Sequence, residues 1–185
     1  MAHRVCPVWI GYLLLVPIRK LWQSPKKILS AYMHGGMTVL DVGSAMGYFS
    51  IPMARMVGAQ GKVVSVDMQA GMLSVLRKRA AKAGLGDRIE THLCGQNSLQ
   101  LENFAESIDF ALAFAVVHEV PDSRKLFQEI AAALKPDARL LVAEPRGHVT
   151  DQDFAETVSL AGQQGFQVAG EPRISRSHAV LLQKR

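Results

Sequence analysis

MTVLDVGSAMGYFS, residues 37–50, sets out the architecture in one line. The apolar pair Val39-Leu40 runs into Asp41, glycines stand at 43 and 47, and a segment with helical spacing follows. The line reads as a strand, a tight glycine turn and the start of a helix. Glycine admits left-handed backbone and the close approach of a ligand, and a helix start presents N–H groups without intrahelical partners. A nucleotide-like guest is the expectation, and the rest of the chain has to say which one.

Downstream of the turn, short β-rich runs alternate with helical stretches. Strands are expected at Thr38–Asp41, Lys62–Asp67, Arg88–Leu93, Ile108–Phe114 and Arg139–Ala143, with Phe166–Gly170 and His178–Gln183 finishing the sheet. Helices are expected at Tyr48–Val57, Ala70–Ala83, Ser123–Leu134 and Asp151–Gln164, two of them closed by Gly84 and Gly165. IDFALAF, residues 108–114, is mostly apolar, as a central parallel strand requires. The alternation implies right-handed crossovers and an α/β, doubly wound, mostly parallel sheet. Such sheets bind ligands at the carboxyl ends of their strands. The glycine turn, Asp67, Gln96-Asn97, Ala115–Glu119 and Glu144–His148 all follow strand ends, so one shared rim is expected.

The 185 residues suit one domain with a substantial core. Residues 36–185 read as that core and 1–35 as an N-terminal helical lid. A net charge of +5 is mild and dispersed, and no basic tract is interleaved with aromatics, which argues against a nucleic-acid surface. VWIGYLLLVPI, residues 8–18, is too short to span a bilayer and holds Pro17. A packed lid is the first reading of it; peripheral membrane contact through residues 8–23 is the sharper alternative. Cys6 and Cys94 form no disulfide framework and no zinc spacing, so no metal is expected and a reducing cytoplasm fits. They also argue against thiol-mediated metalloid methylation. Oligomeric state is not legible.

The turn itself discriminates among nucleotides. A dinucleotide fingerprint requires G-x-G-x-x-G, but Ala45 and Tyr48 occupy its second and third glycine positions. A phosphate loop is excluded because no G-K-[ST] follows. Asp41-Val42-Gly43-Ser44-Ala45-Met46-Gly47 instead resembles the first motif of class I S-adenosylmethionine-dependent methyltransferases, an acid followed by G-x-G-x-G. It matches at the acid and at two of the three glycines. The resemblance extends over residues 37–145. Asp67 closes the second strand, and Asp109–Phe114 looks like the family's fourth strand with Val117-His118-Glu119-Val120-Pro121-Asp122 as its sequel. Leu134–Leu141 resembles the family's "LKPGGRLL" entry to strand five, with Asp137-Ala138 replacing the glycine pair.

This resemblance implies a seven-stranded Rossmann-like sheet of order 3-2-1-4-5-7-6 with the last strand antiparallel. It also implies methyl transfer from S-adenosylmethionine, leaving S-adenosylhomocysteine. Asp41, Gly43, Ser44, Ala45 and Gly47 would hold the methionine moiety and Asp67 the ribose hydroxyls. Met68 would lie against the adenine, with Gln96 or Asn97 on its amine and Ala115 nearby. His118 is the candidate base; an equal reading has it shaping the turn before Pro121. Glu119, Glu144 and His148 are candidates for the acceptor pocket. A compact core with an apolar lid suggests a small or lipophilic acceptor. A nicotinamide-dependent oxidoreductase and a non-catalytic cofactor-binding module stay open as alternatives, and Ala45 puts a methyl where the family keeps bare backbone.

Overall fold

A computed structural model describes residues 23–185. The apolar run at 8–18 and most of the expected lid lie outside the described residues. Two compact units divide the described chain, one ending at Cys94 and one starting at Gly95.

The first unit opens with a short helix, α1 (Pro25–Leu29), whose Leu29 is buried. Three parallel strands follow in the chain, β1 (Thr38–Val42), β2 (Lys62–Asp67) and β3 (Ile89–Leu93), with β2 between the other two. Val39, Leu40, Val63, Val64 and Val66 are essentially inaccessible, so β1 and β2 are covered on both faces. Helix α2 (Ser50–Val57) packs on this sheet through Met53, Ala54 and Val57, and α3 (Ala70–Lys82) through Met72, Leu73 and Leu76. The order of elements places both crossovers, and therefore the turns that follow β1 and β2, after the carboxyl ends of the strands.

The second unit holds β4 (Ile108–Phe114), β5 (Leu134–Pro145), β6 (Phe166–Gly170) and β7 (Ser177–Lys184), with helices α4 (Ser123–Ala133) and α5 (Asp151–Gln163). β4 and β5 pair in parallel, while β7 pairs antiparallel with both β5 and β6. Phe127 of α4 meets Phe166 of β6 edge to face, their centroids 6.2 Å apart. The full strand order is β3-β2-β1-β4-β5-β7-β6, as the resemblance implied.

Boundaries move in two informative places. Helix α2 begins at Ser50, two residues later than expected, because residues 45–49 remain in the turn. β5 begins at Leu134, five residues before the expected Arg139, and runs directly out of α4. The register shifts between the Ile108 and Phe110 pairings, and Asp137 adopts φ +61° there. That left-handed position explains why glycines are usual at this point, and aspartate is among the side chains that tolerate it.

Candidate functional site

In the first unit the site is built from the turn after β1 and the residue closing β2. Gly43, Ala45 and Gly47 all take positive φ, +70°, +46° and +81°. These are the three positions of the G-x-G-x-G pattern, so the pattern marks three left-handed residues in one turn. Ala45 is the exception in chemistry but not in conformation, and a left-handed alanine costs roughly 1–2 kcal/mol. Gly47 has a second reason to lack a side chain. A Cβ there would lie 2.3 Å from Leu76 Cδ1, so Gly47 lets the turn seat on α3. Several bonds brace the turn. Ser44 N–H donates to the Val66 carbonyl at 2.9 Å, Gly47 N–H to the Ser44 carbonyl at 2.9 Å, and Arg79 of α3 to the Met46 carbonyl.

Two carboxylates sit against this turn. Asp41, only 2% exposed, accepts from Ser50 Oγ at 2.5 Å. Burial, with the charge of Asp67 adding to it, pushes its carboxyl up to about 7. Asp67 is also buried. Its Oδ2 accepts from Ala45 N–H at 2.9 Å and its Oδ1 from Gln69 N–H at 2.8 Å. Burial raises its carboxyl too, against those two bonds, which favour the charged form. Among the described residues no lysine or arginine forms an ion pair with either acid. The Ser44 hydroxyl is buried without a hydrogen-bond partner, and Met68, next to Asp67, leaves its apolar side chain exposed. Two uncompensated buried acids, an orphaned hydroxyl and an open apolar side chain fit a ligand that brings a cation, hydroxyls and a flat ring. S-adenosylmethionine carries all three.

The second unit holds the other predicted residues. Ala115 follows β4 at φ +56°, its N–H donating to the Ala143 carbonyl at 2.7 Å. The chain then makes a single helical turn, Val117–Glu119. Glu144, 1% exposed near the end of β5, anchors that turn from below. Its Oε1 accepts from the N–H groups of Val116 at 3.1 Å and Val117 at 2.9 Å, and its Oε2 contacts Nδ1 of His118. The Glu144 hydrogen bond raises the His118 pKa, desolvation opposes it, and the charges of Glu144 and Glu119 add to the rise. His148 is exposed, with its ring centroid 5.5 Å from that of His118.

A cavity of about 220 Å³ opens here. His118, Glu144 and His148 are in its wall, together with Val117, Val120 and Val149. Glu119 is not among the wall residues and reaches His118 only through its charge. Gln96 and Asn97 are exposed on a turn closed by Gly95 N–H donating to the Ser98 carbonyl at 3.0 Å. Sequence reasoning missed Ser123, Asp153 and Thr157, which line the cavity from α4 and the first half of α5. For Ser123 and Asp153, a place just after a helix start was the available signal. It also missed Arg79 as a brace, for which a basic helical residue offers none. Among the described residues no group of three or more His, Cys, Asp or Glu is placed to hold a metal ion. No helix among them is long and apolar enough to cross a membrane.

Residues 33–172 match the family model described as a methyltransferase domain. The chain is 31% identical over 133 residues to the ubiquinone/menaquinone biosynthesis C-methyltransferase UbiE of Hahella chejuensis, covering 71% of this chain and 52% of that protein. It is 31% identical over 114 residues to the arsenite methyltransferase of Halobacterium salinarum, covering 62% and 28% respectively. This chain therefore spans about half, or less, of the length of these curated relatives. Among solved structures, a SAM dependent methyltransferase from Aquifex aeolicus superposes with a TM-score of 0.87 at 24% identity, over 98% of this chain and 100% of that one. The [4+2]-cyclase SpnF superposes with a TM-score of 0.68 at 19% identity, over 80% and 59%. At such identities these likenesses show the fold, and the cyclase shows that the fold alone does not dictate the reaction.

Proposed function

Since the chain belongs to the class I S-adenosylmethionine-dependent methyltransferases, we propose that it transfers the methyl group of S-adenosylmethionine to a small-molecule acceptor. The observation that carries this reading is the pair of buried carboxylates, Asp41 and Asp67, set around a left-handed turn without a cationic partner among the described residues. When bound, S-adenosylmethionine supplies a methyl on a sulfonium, a leaving group already activated. The protein's share is then alignment and exclusion of water, worth several kcal/mol.

In this reading Asp41 supplies the negative charge that the methionine ammonium needs. Asp67 accepts from the ribose hydroxyls with the lone pairs that Ala45 and Gln69 leave free. Gly43, Ser44, Ala45, Gly47 and Ala115 offer backbone, Met68 covers the adenine, and Gln96 or Asn97 accepts from its amine. His118 takes the acceptor's proton at Nε2, the nitrogen that Glu144 does not engage. Two relatives, named as a ubiquinone/menaquinone biosynthesis C-methyltransferase and an arsenite methyltransferase, support a small-molecule acceptor. Incubation with methyl-labelled S-adenosylmethionine and parallel pools of small molecules, bulk tRNA and protein tests the assignment. Label is expected in small molecules; label confined to tRNA or protein contradicts it.

A further inference from the structure

Asp41 is 2% exposed, and its partners are the hydroxyl of Ser50 at 2.5 Å and the same residue's backbone N–H. Ser50 is itself wholly buried and carries no charge. A carboxylate here has lost its hydration and has only neutral donors in exchange. Asp67, the second buried acid of the same turn, adds like-charge repulsion.

Among the described residues, the other ionisable groups on the elements around β1 and its turn are placed elsewhere. β2 carries Lys62 at its amino end, in register with Thr38. α2 carries Arg55, which is exposed. Arg79 of α3 donates to the Met46 carbonyl. β4, next to β1 in the strand order, carries Asp109, which pairs with Lys135 at 2.5 Å. Burial, and after it the charge of Asp67, pushes the Asp41 carboxyl up to about 7 against the bonds from Ser50.

A cationic ligand changes this balance. An ammonium brought against a buried carboxylate gains a charge-assisted bond and a counter-charge. Brought against a neutral acid, it loses its own hydration and gains neither. The two protonation states of Asp41 therefore bind an ammonium unequally. The Ser44 hydroxyl, 4% exposed and without a hydrogen-bond partner, is a further acceptor left over in the same turn.

Resting on the methyltransferase reading, we propose that this turn couples cofactor binding to proton release: the ammonium of the cofactor's amino-acid moiety displaces a proton from Asp41, so acid weakens the cofactor and spares a ligand that lacks the amine. The O–H bond of the carboxyl breaks, its electron pair stays on the carboxylate and the proton goes to water. The ligand's ammonium keeps its own protons. Linkage fixes the sign, because the free protein binds more protons than the complex. Well below the pKa of the free protein, each unit of falling pH costs about tenfold in affinity; above it the dependence ends.

The test uses the full chain and two probes, S-adenosylhomocysteine and 5′-methylthioadenosine, which keeps the adenine, ribose and thioether and lacks the amino-acid moiety. Calorimetry near about pH 6, in two buffers of different ionisation enthalpy, counts the protons. About one should leave per S-adenosylhomocysteine bound and about none per 5′-methylthioadenosine. From about pH 6 to about pH 5 the dissociation constant of S-adenosylhomocysteine should rise about tenfold, while that of 5′-methylthioadenosine stays level. Both probes carry the ribose, so any titration of Asp67 appears in both and cancels in the comparison. Asp41→Asn should abolish the proton release and the pH dependence while 5′-methylthioadenosine still binds. Failure of S-adenosylhomocysteine to bind overturns the methyltransferase reading, and the proposal with it. Saturable binding without proton release, or with equal release from both probes, overturns the proposal alone, even if the variant fails to fold. Release that survives in Asp41→Asn overturns it as well.

Discussion

Asp41 is held almost wholly out of water against Ser50, and its carboxyl is pushed from 3.8 up to about 7. The sign of the consequence is definite. Between those two values the folded protein binds more protons at this site than the unfolded chain, so stability falls as pH rises through the window. Asp67, raised in the same direction, adds to the slope. The ligand-free protein should therefore lose on the order of 2–4 kcal/mol between pH 4 and 8 from Asp41. Asp41→Asn, which keeps an acceptor for Ser50 and carries no charge, should flatten that slope and be the more stable protein at pH 8. Urea unfolding at several pH values measures both. An unchanged slope in the variant would remove Asp41 from the account. The acid's position was legible from Asp41 preceding the glycines; that no lysine or arginine among the described residues pairs with it was not, because that depends on where distant elements put their charges.

At the scale of elements, the glycine turn carries two residues whose substitution should have opposite effects. Ala45 is a left-handed residue with a side chain, so Ala45→Gly should stabilise the protein by about 0.5–1 kcal/mol. Gly47 is left-handed and faces Leu76 at a distance no Cβ tolerates, so Gly47→Ala should cost about 2 kcal/mol or more. Chemical denaturation of the two variants checks the contrast, and a destabilised Ala45→Gly would mean that the turn does not hold that φ. The turn, most of the strands and the order of the sheet were legible because apolar periodicity and glycine placement are local. The early start of β5 was not, since Lys135-Pro136-Asp137 reads as a turn, and the strand reaches back to Leu134 only through the pairing of Leu134 with Ile108 across a register shift. Glu144 was expected in the acceptor pocket, and it lines the cavity; its bonds to residues 26–28 positions away are a long-range fact that no local pattern announces.

For the whole molecule, family membership rests on a domain match that covers residues 33–172, and the sheet order agrees with it. Each unit carries one share of the proposed chemistry: the first a carboxylate-flanked turn, the second an oriented imidazole beside a cavity. The central claim is that the turn with Asp41 and Asp67 holds S-adenosylmethionine. A calorimetric titration of the wild-type protein and Asp67→Ala with S-adenosylhomocysteine, with reduced nicotinamide adenine dinucleotide in parallel, tests it most directly. The account predicts saturable binding of S-adenosylhomocysteine, weakened about ten- to a hundredfold by Asp67→Ala, and weaker binding of the dinucleotide. An unchanged dissociation constant in Asp67→Ala, or tighter binding of the dinucleotide, would contradict it.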